Sequence, residues 1–429
     1  MPVDRIKVLV FPAGAENALE IYNSLKYNLH IDVYGASGKP DHAKYAYPED
    51  HYIEDNLYIN SPGFIDKFNS ILRQYSINVV IPTHDTIALF FSRYMNNILA
   101  KIVTSRLETA MIAREKKLTY DKFRAEDFCP RIYEALDKNI DYPVFLKPNI
   151  GQGSQGTYLA KTETELRAAI SHHKDLIVCE YLPGAELTVD CFTDRHRNLL
   201  FVGPRTRERI QMGISFHSQS VPLTEEIYEI AKIISDYLIL RGAWFFQLKQ
   251  NACGKYKLLE ISVRQAGTMA LYRQLGINFA LLSVFDSMDV DVTVINNPLS
   301  ISLDRCLHNR YKINYSYSKV YIDFDDTIIV NSLVNTNAIR YLYQCKNKGK
   351  QIILITNHEF NIHDSLAHYS IAKELFDEII IIPMNRKKYE FINPLDAIFI
   401  DNYFPDRKQV SEIYKIPVFD VDAIDCLCD

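Results

Sequence analysis

One tryptophan in 429 residues, no C-x-x-C pair, no apolar run of membrane length and no excess of basic charge: each absence removes a class of protein. The eight cysteines are scattered without the paired spacing of a zinc site, and several fall inside apolar, strand-like segments. Buried free thiols are the expectation, and with them a reducing, cytoplasmic setting. A bilayer span needs about 20 consecutive apolar residues, and no such stretch occurs. The opening "MPVDRIKVLVFPAG" has neither the apolar core nor the cleavage pattern of a secretion signal and reads as a first β-strand. A formal net charge of -5 argues against a large nucleic-acid footprint, so neither nucleic acid nor membrane is an expected partner. Also missing is G-x-G-x-x-G after the first strand; "PAGAENA" stands there, which excludes the dinucleotide fingerprint.

What is present is a globular composition, 48% hydrophobic and 24% charged, in a chain too long for one ordinary core. Residues 1–99 alternate strand and helix patterns, from "RIKVLVF" through "AENALEIYNSLKYN" to "INVVIPTHD". That alternation predicts a small parallel sheet, Rossmann-like in shape. Residues 100–295 turn to strands in hairpin-like succession, among them "YPVFLKPN", "ELTVDCFTD", "AWFFQLKQ" and "KYKLLEISVR", an α+β texture with antiparallel sheets. Residues 296–317 are polar and irregular and read as a connection. In residues 318–429 the βαβ alternation returns, predicting a third, parallel-sheet domain of ordinary size. The expected fold class is α/β and α+β, multidomain.

The stretch "DYPVFLKPNIGQGSQGTYLA" carries a strand to Lys147, stops it with a proline, and follows with Gly151, Gly153 and Gly156. Glycines allow positive φ and let backbone N–H groups close on an anion, while a lysine adds a point charge. The lysine precedes the glycines and a strand follows them, which is not the P-loop order. Further on, Gln247 and Glu260 fall on two strands joined by the turn "NACGK", where both side-chain oxygens can face one Mg²⁺. Arg264, just beyond the second strand, can meet a phosphate or carboxylate through two parallel N–H bonds. An ion pair between Glu260 and Arg264 is the competing use of both residues.

In this order the segments resemble the ATP-grasp superfamily, nearest its carbamoyl-phosphate-synthase-like and carboxylate–amine ligase branches, over residues 1–295. The resemblance implies ATP and Mg²⁺ as cofactors. By it, "REKKLTY" corresponds to the family's D-K-x-x-T segment and sets Lys116 near the phosphates, with Lys147 as the second ATP lysine. Gly151, Gly153 and Gly156 would fold over the triphosphate, Glu180, Tyr181 and Leu182 would lie along the adenine, and Glu186 would bind the ribose. Gln247 and Glu260 would hold the metal, and Arg264 would stabilise the transferring phosphoryl group. "GPRTRERIQMGIS" is similar to a segment that often turns a basic residue toward the substrate, here Arg205 or Arg207. His217 and Gln265 are further pocket candidates, with a satisfied surface position as the plainer use of each. The chain departs from the family where E-x-N-x-R reads Glu260, Ser262 and Arg264, since serine keeps an oxygen but reaches less far. Glu115 stands in for the first acid of the D-K segment.

The stretch "KVYIDFDDTIIV" ends a strand-like apolar run in Asp323 and Asp325. Phosphoryl transfer to a carboxylate needs a nucleophile, an acid for the leaving oxygen and a metal to offset charge. Asp323 can attack, Asp325 can act as acid and then base, and both can lie beside one Mg²⁺. Thr356 closes "ILIT", Lys387 or Lys388 in "PMNRKKYEF" supplies a counter-charge, and Asp401 follows "AIFI" as a further Mg²⁺ ligand. All come at the carboxyl ends of strands, where open α/β sheets place their sites. With Thr327 completing D-x-D-x-T, this resembles the haloacid-dehalogenase-like (HAD) phosphatase superfamily over residues 318–429. The resemblance implies a Rossmannoid domain acting on a phosphorylated substrate, and the short intervals between motifs imply no large cap. It departs at Asp401–Asn402, where the family usually has two acids; Asp406 stands nearby in sequence.

Together these readings lead to a bifunctional enzyme. One part would be an ATP-dependent carboxylate–amine ligase working through an acyl phosphate and releasing ADP, the other a Mg²⁺-dependent phosphohydrolase working through an aspartyl phosphate. The expected partners are a small-molecule carboxylate, an amine and a phosphorylated substrate, with a homodimer as the base-rate assembly. Two competing readings are a small-molecule kinase joined to the phosphatase, and a non-catalytic nucleotide-binding regulatory module.

Overall fold

Strand β1 (Ile6–Phe11) is apolar on both sides. Val8 and Val10 pack with Ala18 and Ile21, while Leu9 and Phe11 pack with Phe68 and Phe91. Such a strand needs helices on both faces, the condition under which parallel sheets form. In the computed structural model, β1, β2 (Ile31–Ser37), β3 (Tyr52–Glu54), β4 (Val79–Pro82) and β5 (Lys101–Ile102) form that sheet in the order β3-β2-β1-β4-β5, all parallel. Helix α1 (Glu16–Leu25) covers one face; α2 (Phe64–Tyr75) and α3 (Asp85–Arg93) cover the other. The structure describes residues 5–134, 139–151, 153, 155–173, 175–211, 213–306, 309–383 and 385–428. Chain contacts divide it into two units, Met1–Leu307 and His308–Asp429.

The rest of the first unit is built on antiparallel sheets. Helices α4 (Leu107–Arg114) and α5 (Lys116–Lys122) lead into β6 (Ile132–Tyr133), β7 (Val144–Pro148), β8 (Tyr158–Ala160) and, after α6 (Glu163–His172), β9 (Leu176–Glu180), ordered β6-β9-β7-β8. A second sheet, β11-β10-β14-β15, is made by β10 (Glu186–Thr193), β11 (Leu199–Thr206), β14 (Gly242–Gln250) and β15 (Tyr256–Ser262). On β14, Trp244, Phe246 and Leu248 pack with Ile227, Ile230 and Ile234 of α7 (Glu225–Tyr237). Period-two alternation therefore sends Phe245, Gln247 and Lys249 to the opposite face, where the candidate site lies. A smaller sheet joins β12 (Arg209–Gln211), β13 (Ile214–Gln219) and β16 (Ser302–Asp304). Residues 302–304 belong to the stretch that reads as a polar connection. The structure takes them into the first unit because β16 pairs with β13 and Asp304 bonds Arg209 and His217.

In the second unit β17 (Lys319–Ile322) is the central strand. Val320 and Ile322 enter one core and Tyr321 another, so it too is buried on both faces. After the short hairpin β18 (Ile329–Val330) and β19 (Leu333–Val334) come β20 (Gln351–Thr356), β21 (Glu378–Ile381), β22 (Ala397–Ile400) and β23 (Val418–Phe419). The five-stranded sheet is parallel and ordered β21-β20-β17-β22-β23. Among the described residues no helix is long and apolar enough to cross a membrane. Among the described residues no cysteine is in a disulfide. Cys179, Cys191 and Cys345 are buried as expected, but Cys253 and Cys306 are exposed, the former in the turn between β14 and β15.

Candidate functional site

In the first unit a cavity of about 220 Å³ opens between the two antiparallel sheets. Its walls include Lys116, Lys147, Gly151, Gly153, Gln247 and Glu260. Glu180, Tyr181, Leu182 and Glu186 complete the set of candidate residues that the fold gathers here. Gly156 is not in the wall; it takes φ +70° on the side of the loop that backs onto Pro148. Gln152 and Ser154 of the same loop lie outside the described residues.

Lys147 is placed by β7, with only 6% of its surface exposed. Its ammonium donates to the Tyr120 hydroxyl and to the Leu259 carbonyl (3.3 Å), and lies 4.9 Å from the centre of the Tyr120 ring. Burial pushes the Tyr120 phenol well above its ordinary pKa, so the ring stays a neutral partner. Lys116, at the start of α5, is held below the usual lysine pKa by burial and by Lys147, against the opposing pull of Glu260. A buried and a half-buried lysine face one cavity, and the positive charge they bring there can be met by a ligand's negative charge.

Gln247 and Glu260 are directly paired across β14 and β15, with a bulge just beyond them. Neither side chain makes a hydrogen bond or ion pair among the described residues. Two adjacent oxygen donors without protein partners suit a hard divalent cation. The competing Glu260–Arg264 pair does not form, because Arg264 turns to Asp85 (3.0 Å). Arg264 instead faces a second cavity of about 530 Å³, which shares Lys116, Gly151, Gly153, Arg207, Gln247 and Glu260 with the first. Glu186 lines the first cavity while ion-paired with Arg207 (2.7 Å) and near Lys249 (3.7 Å).

Of the two basic residues expected to face a substrate, Arg207 lines both cavities. Arg205 lines the second but is 1% exposed, with Nε and Nη2 spent on the buried Asp190 (2.6 and 3.1 Å). His217 bonds Asp304, and neither it nor Gln265 lines a cavity described above. Sequence reading missed Lys249, Asp85, Arg114, Tyr120 and Gly213. Lys249 was recoverable, because strand alternation puts it on the face of Gln247.

The second unit holds a compact charged cluster. Asp323 follows β17 and Asp401 follows β22, neighbouring parallel strands, so both carboxylates emerge at the carboxyl edge of the sheet. Lys388 Nζ donates to Asp323 Oδ1 and to Asp401 Oδ2, both at 2.7 Å, and all three residues are buried. Burial, with help from Asp401 and against Lys388, raises the Asp323 carboxyl to about 6. Burial also raises Asp401, while the two carboxylates outweigh burial and raise Lys388. Thr327 donates to Asp323 (3.3 Å), and Thr356 Oγ1 accepts from the His358 amide (3.2 Å).

Two expectations are corrected here. Lys387 does not reach the cluster; it is exposed at the start of the short 3₁₀ turn that delivers Lys388 inward. Nor do Asp323, Asp325 and Asp401 converge, and among the described residues no group of three His, Cys, Asp or Glu could hold a metal. Asp325 is half-exposed and its two oxygens lie 2.9 and 3.0 Å from His358 Nδ1, whose Nε2 is bonded to Ser365 (2.7 Å). Asp323 and Asp401 remain as a buried two-carboxylate donor set suited to a hard cation.

Residues 172–303 match the family model described as ATP-grasp in the biosynthetic pathway with Ter operon. A D-alanine–D-alanine ligase of Bacteroides fragilis is 23% identical over 118 residues, 27% of this chain and 33% of that enzyme. The chain thus matches about a third of that relative's length. The solved N5-carboxyaminoimidazole synthetase of Staphylococcus aureus, complexed with ADP, is similar over 69% of this chain and 81% of its own, with TM-score 0.56 and 10% identity. The L-amino acid ligase of Bacillus licheniformis is similar over 67% and 75%, with TM-score 0.54 and 13% identity. The biotin carboxylase domain of Hydrogenobacter thermophilus 2-oxoglutarate carboxylase, in complex with MgADP, ADP and bicarbonate, covers 67% and 70% at TM-score 0.54 and 15% identity. At such identities the structural likeness is one of fold. The family match lies within the first unit.

Proposed function

We propose that the protein is a bifunctional enzyme, an ATP-dependent carboxylate–amine ligase joined to a phosphatase of haloacid-dehalogenase-like type. The observation that carries the first half is the pair Gln247 and Glu260, two oxygen donors without protein partners among the described residues, in a cavity lined by the buried Lys147 and the half-buried Lys116 that shares its wall with a larger one. In this reading ATP takes the smaller cavity, with its base along Glu180, Tyr181 and Leu182, its ribose at Glu186 and its phosphates between Lys116, Lys147 and the Gly151–Gly153 backbone. Gln247 and Glu260 would hold Mg²⁺, which would supply Lewis-acid stabilisation of phosphoryl charge. The carboxylate and the amine take the larger cavity, which Arg207 and Arg264 line. Activation as an acyl phosphate makes the carboxylate electrophilic; attack by the amine forms the C–N bond and expels phosphate. That relatives named as ligases and synthetases share the fold supports this reading.

For the second unit the carrying observation is Lys388 between Asp323 and Asp401. Asp323 is the nucleophile: its carboxylate attacks phosphorus, Asp325 protonates the leaving oxygen, and water later releases phosphate from the aspartyl group. Lys388 neutralises the phosphate, and Thr356 and Thr327 supply hydroxyls at the same strand ends. Asp323 and Asp401 would hold Mg²⁺.

The test is Mg²⁺-dependent ADP release from ATP by Asp323→Asn protein, which lacks phosphatase background, with pooled amino acids and small carboxylates. Pool-dependent ADP release is the expected result, and product mass separates ligation from a kinase reaction. ATP binding with no release from any pool would overturn the ligase reading in favour of a regulatory module. Hydrolysis of p-nitrophenyl phosphate by the wild type, lost in Asp323→Asn, is the expected result for the second unit.

A further inference from the structure

The motif departure at Ser262 has a structural counterpart in a residue that comes from the far end of the sequence. Asp85 opens α3, directly after β4 and the turn at Thr83, which is tied to β1 through the carbonyls of Phe11 and Pro12 (3.0 and 2.7 Å). Ser262 Oγ donates to Asp85 Oδ1 at 2.6 Å, and Arg264 Nε and Nη2 lie 3.1 and 3.0 Å from Asp85 Oδ2. The short serine side chain in place of the family's asparagine is thus used on Asp85. Arg264 is fixed on two further sides: Nη1 donates to the Gln265 carbonyl (3.1 Å), and the guanidinium lies 5.5 Å from the centre of the Phe245 ring. That same Gln265 carbonyl accepts from Asn17 Nδ2 of α1 (2.8 Å). Two helices of the N-terminal parallel sheet, α1 and α3, therefore brace the segment that carries Arg264.

A guanidinium has five N–H donors. Here Nε donates to Asp85, Nη2 stands at ion-pair distance from the same oxygen, and one Nη1 hydrogen goes to Gln265. One hydrogen on each terminal nitrogen remains, and these two form the end-on fork that receives an oxyanion through two parallel bonds. Asp85, Asp190 and Glu260 differ in how they are used. Asp190 is consumed by Arg205 in the interior, Glu260 has no ion pair among the described residues, and Asp85 holds its arginine while leaving that arginine's terminal edge unspent among them. Burial alone would raise the Asp85 carboxyl, but Arg264 and the Ser262 hydrogen bond more than offset it and hold it ionised below its ordinary value. The helix N-terminus adds in the same direction.

We propose that Asp85, assisted by Ser262, is the positioning residue for Arg264, so that the N-terminal sheet sets the aim of the acceptor site. This rests on the reading of the two joined cavities as ATP and acceptor sites. Asp85 stands in the wall of the second cavity beside Arg264, and its role in this scheme is to set the direction of the terminal fork of Arg264. A misplacement of about 1 Å of such a group costs as much as a hundredfold in rate.

The decisive experiment combines a mutant cycle with crystallography. ADP release is measured with the pooled amino acids and carboxylates for wild type, Asp85→Ala, Asp85→Asn, Arg264→Ala and the Asp85→Ala/Arg264→Ala double variant. Asp85→Ala is expected to lower kcat about ten- to a hundredfold while the KM for ATP moves less than about twofold. Asp85→Asn, which keeps an acceptor oxygen, should recover part of that loss. On the Arg264→Ala background, Asp85→Ala should add almost nothing. Multiplying effects in the double variant, or a loss confined to the KM for ATP, would overturn the proposal. Crystals of Asp85→Ala supply the second readout: the Arg264 guanidinium should leave the Phe245 face. An unmoved Arg264 overturns the proposal even if no pool supports turnover. Absence of ADP release from the wild type would sink the ligase reading alone and leave the crystallographic result to decide the role of Asp85.

Discussion

Asp323 is a carboxylate with 4% of its surface exposed, paired with a lysine that also holds a second aspartate. Its folded value of about 6 lies above the roughly 3.9 of an unfolded chain. The folded state therefore keeps a proton that the unfolded state has lost between those values. The stability Asp323 contributes is full below about pH 4 and declines as pH rises through about 6. In metal-free protein, the stability difference between wild type and Asp323→Asn should accordingly shift against the wild type over that window, read by calorimetry at each pH. A pH-independent difference would assign the raised value elsewhere. Arg205 shows the other use of a buried charge. Arg205→Met leaves the fully buried Asp190 without its partner and should cost about 3–5 kcal/mol in chemical denaturation. Replacing both, as Asp190→Leu/Arg205→Met, should recover most of it. Neither environment was legible in sequence: "GPRTRERI" offers Arg205 and Arg207 on equal terms, and only the sheet sends the first into the interior.

Among the elements, the glycine loop after β7 and the turn between β12 and β13 meet at Gly213. It has φ +77°, and a Cβ there would stand 2.2 Å from Gly153 Cα. A side chain would be strained in its own backbone and would displace the loop that lines the first cavity. Gly213→Ala should lose roughly 1–2 kcal/mol of stability and weaken MgATP binding, measured by titration calorimetry. Unchanged affinity would show that the loop position does not govern the nucleotide. The strand pair β14–β15 could be foreseen, because alternation places Gln247 opposite the apolar run Trp244, Phe246 and Leu248. Its register could not, since the bulge after Gln247 shifts every later pair by one residue. Likewise "NRKKYEF" offered two lysines, and the 3₁₀ turn, a feature too short for a periodic signal, selects Lys388.

At the level of the whole molecule, the two units have separate cores and separate candidate sites. Lys147→Ala should abolish pool-dependent ADP release and leave p-nitrophenyl phosphate hydrolysis intact, and Asp323→Asn should do the reverse. Loss of both activities in each variant would contradict two independent sites. The chain's own pattern was enough for the parallel sheets at either end, since strands such as "KVLVF" and "QIILIT" carry four consecutive apolar residues and demand cover on both faces. It was also enough to single out residues that the fold then gathers around one cavity, because lysine, glycine and acidic positions at strand ends declare themselves locally. Tertiary structure alone decided the partners. Asp85 meets Arg264 across 179 positions of sequence and Asn17 meets Gln265 across 248, separations over which no local periodicity carries information. Local preference and burial pattern are written residue by residue, but which charge faces which is set only when distant strands share a sheet edge.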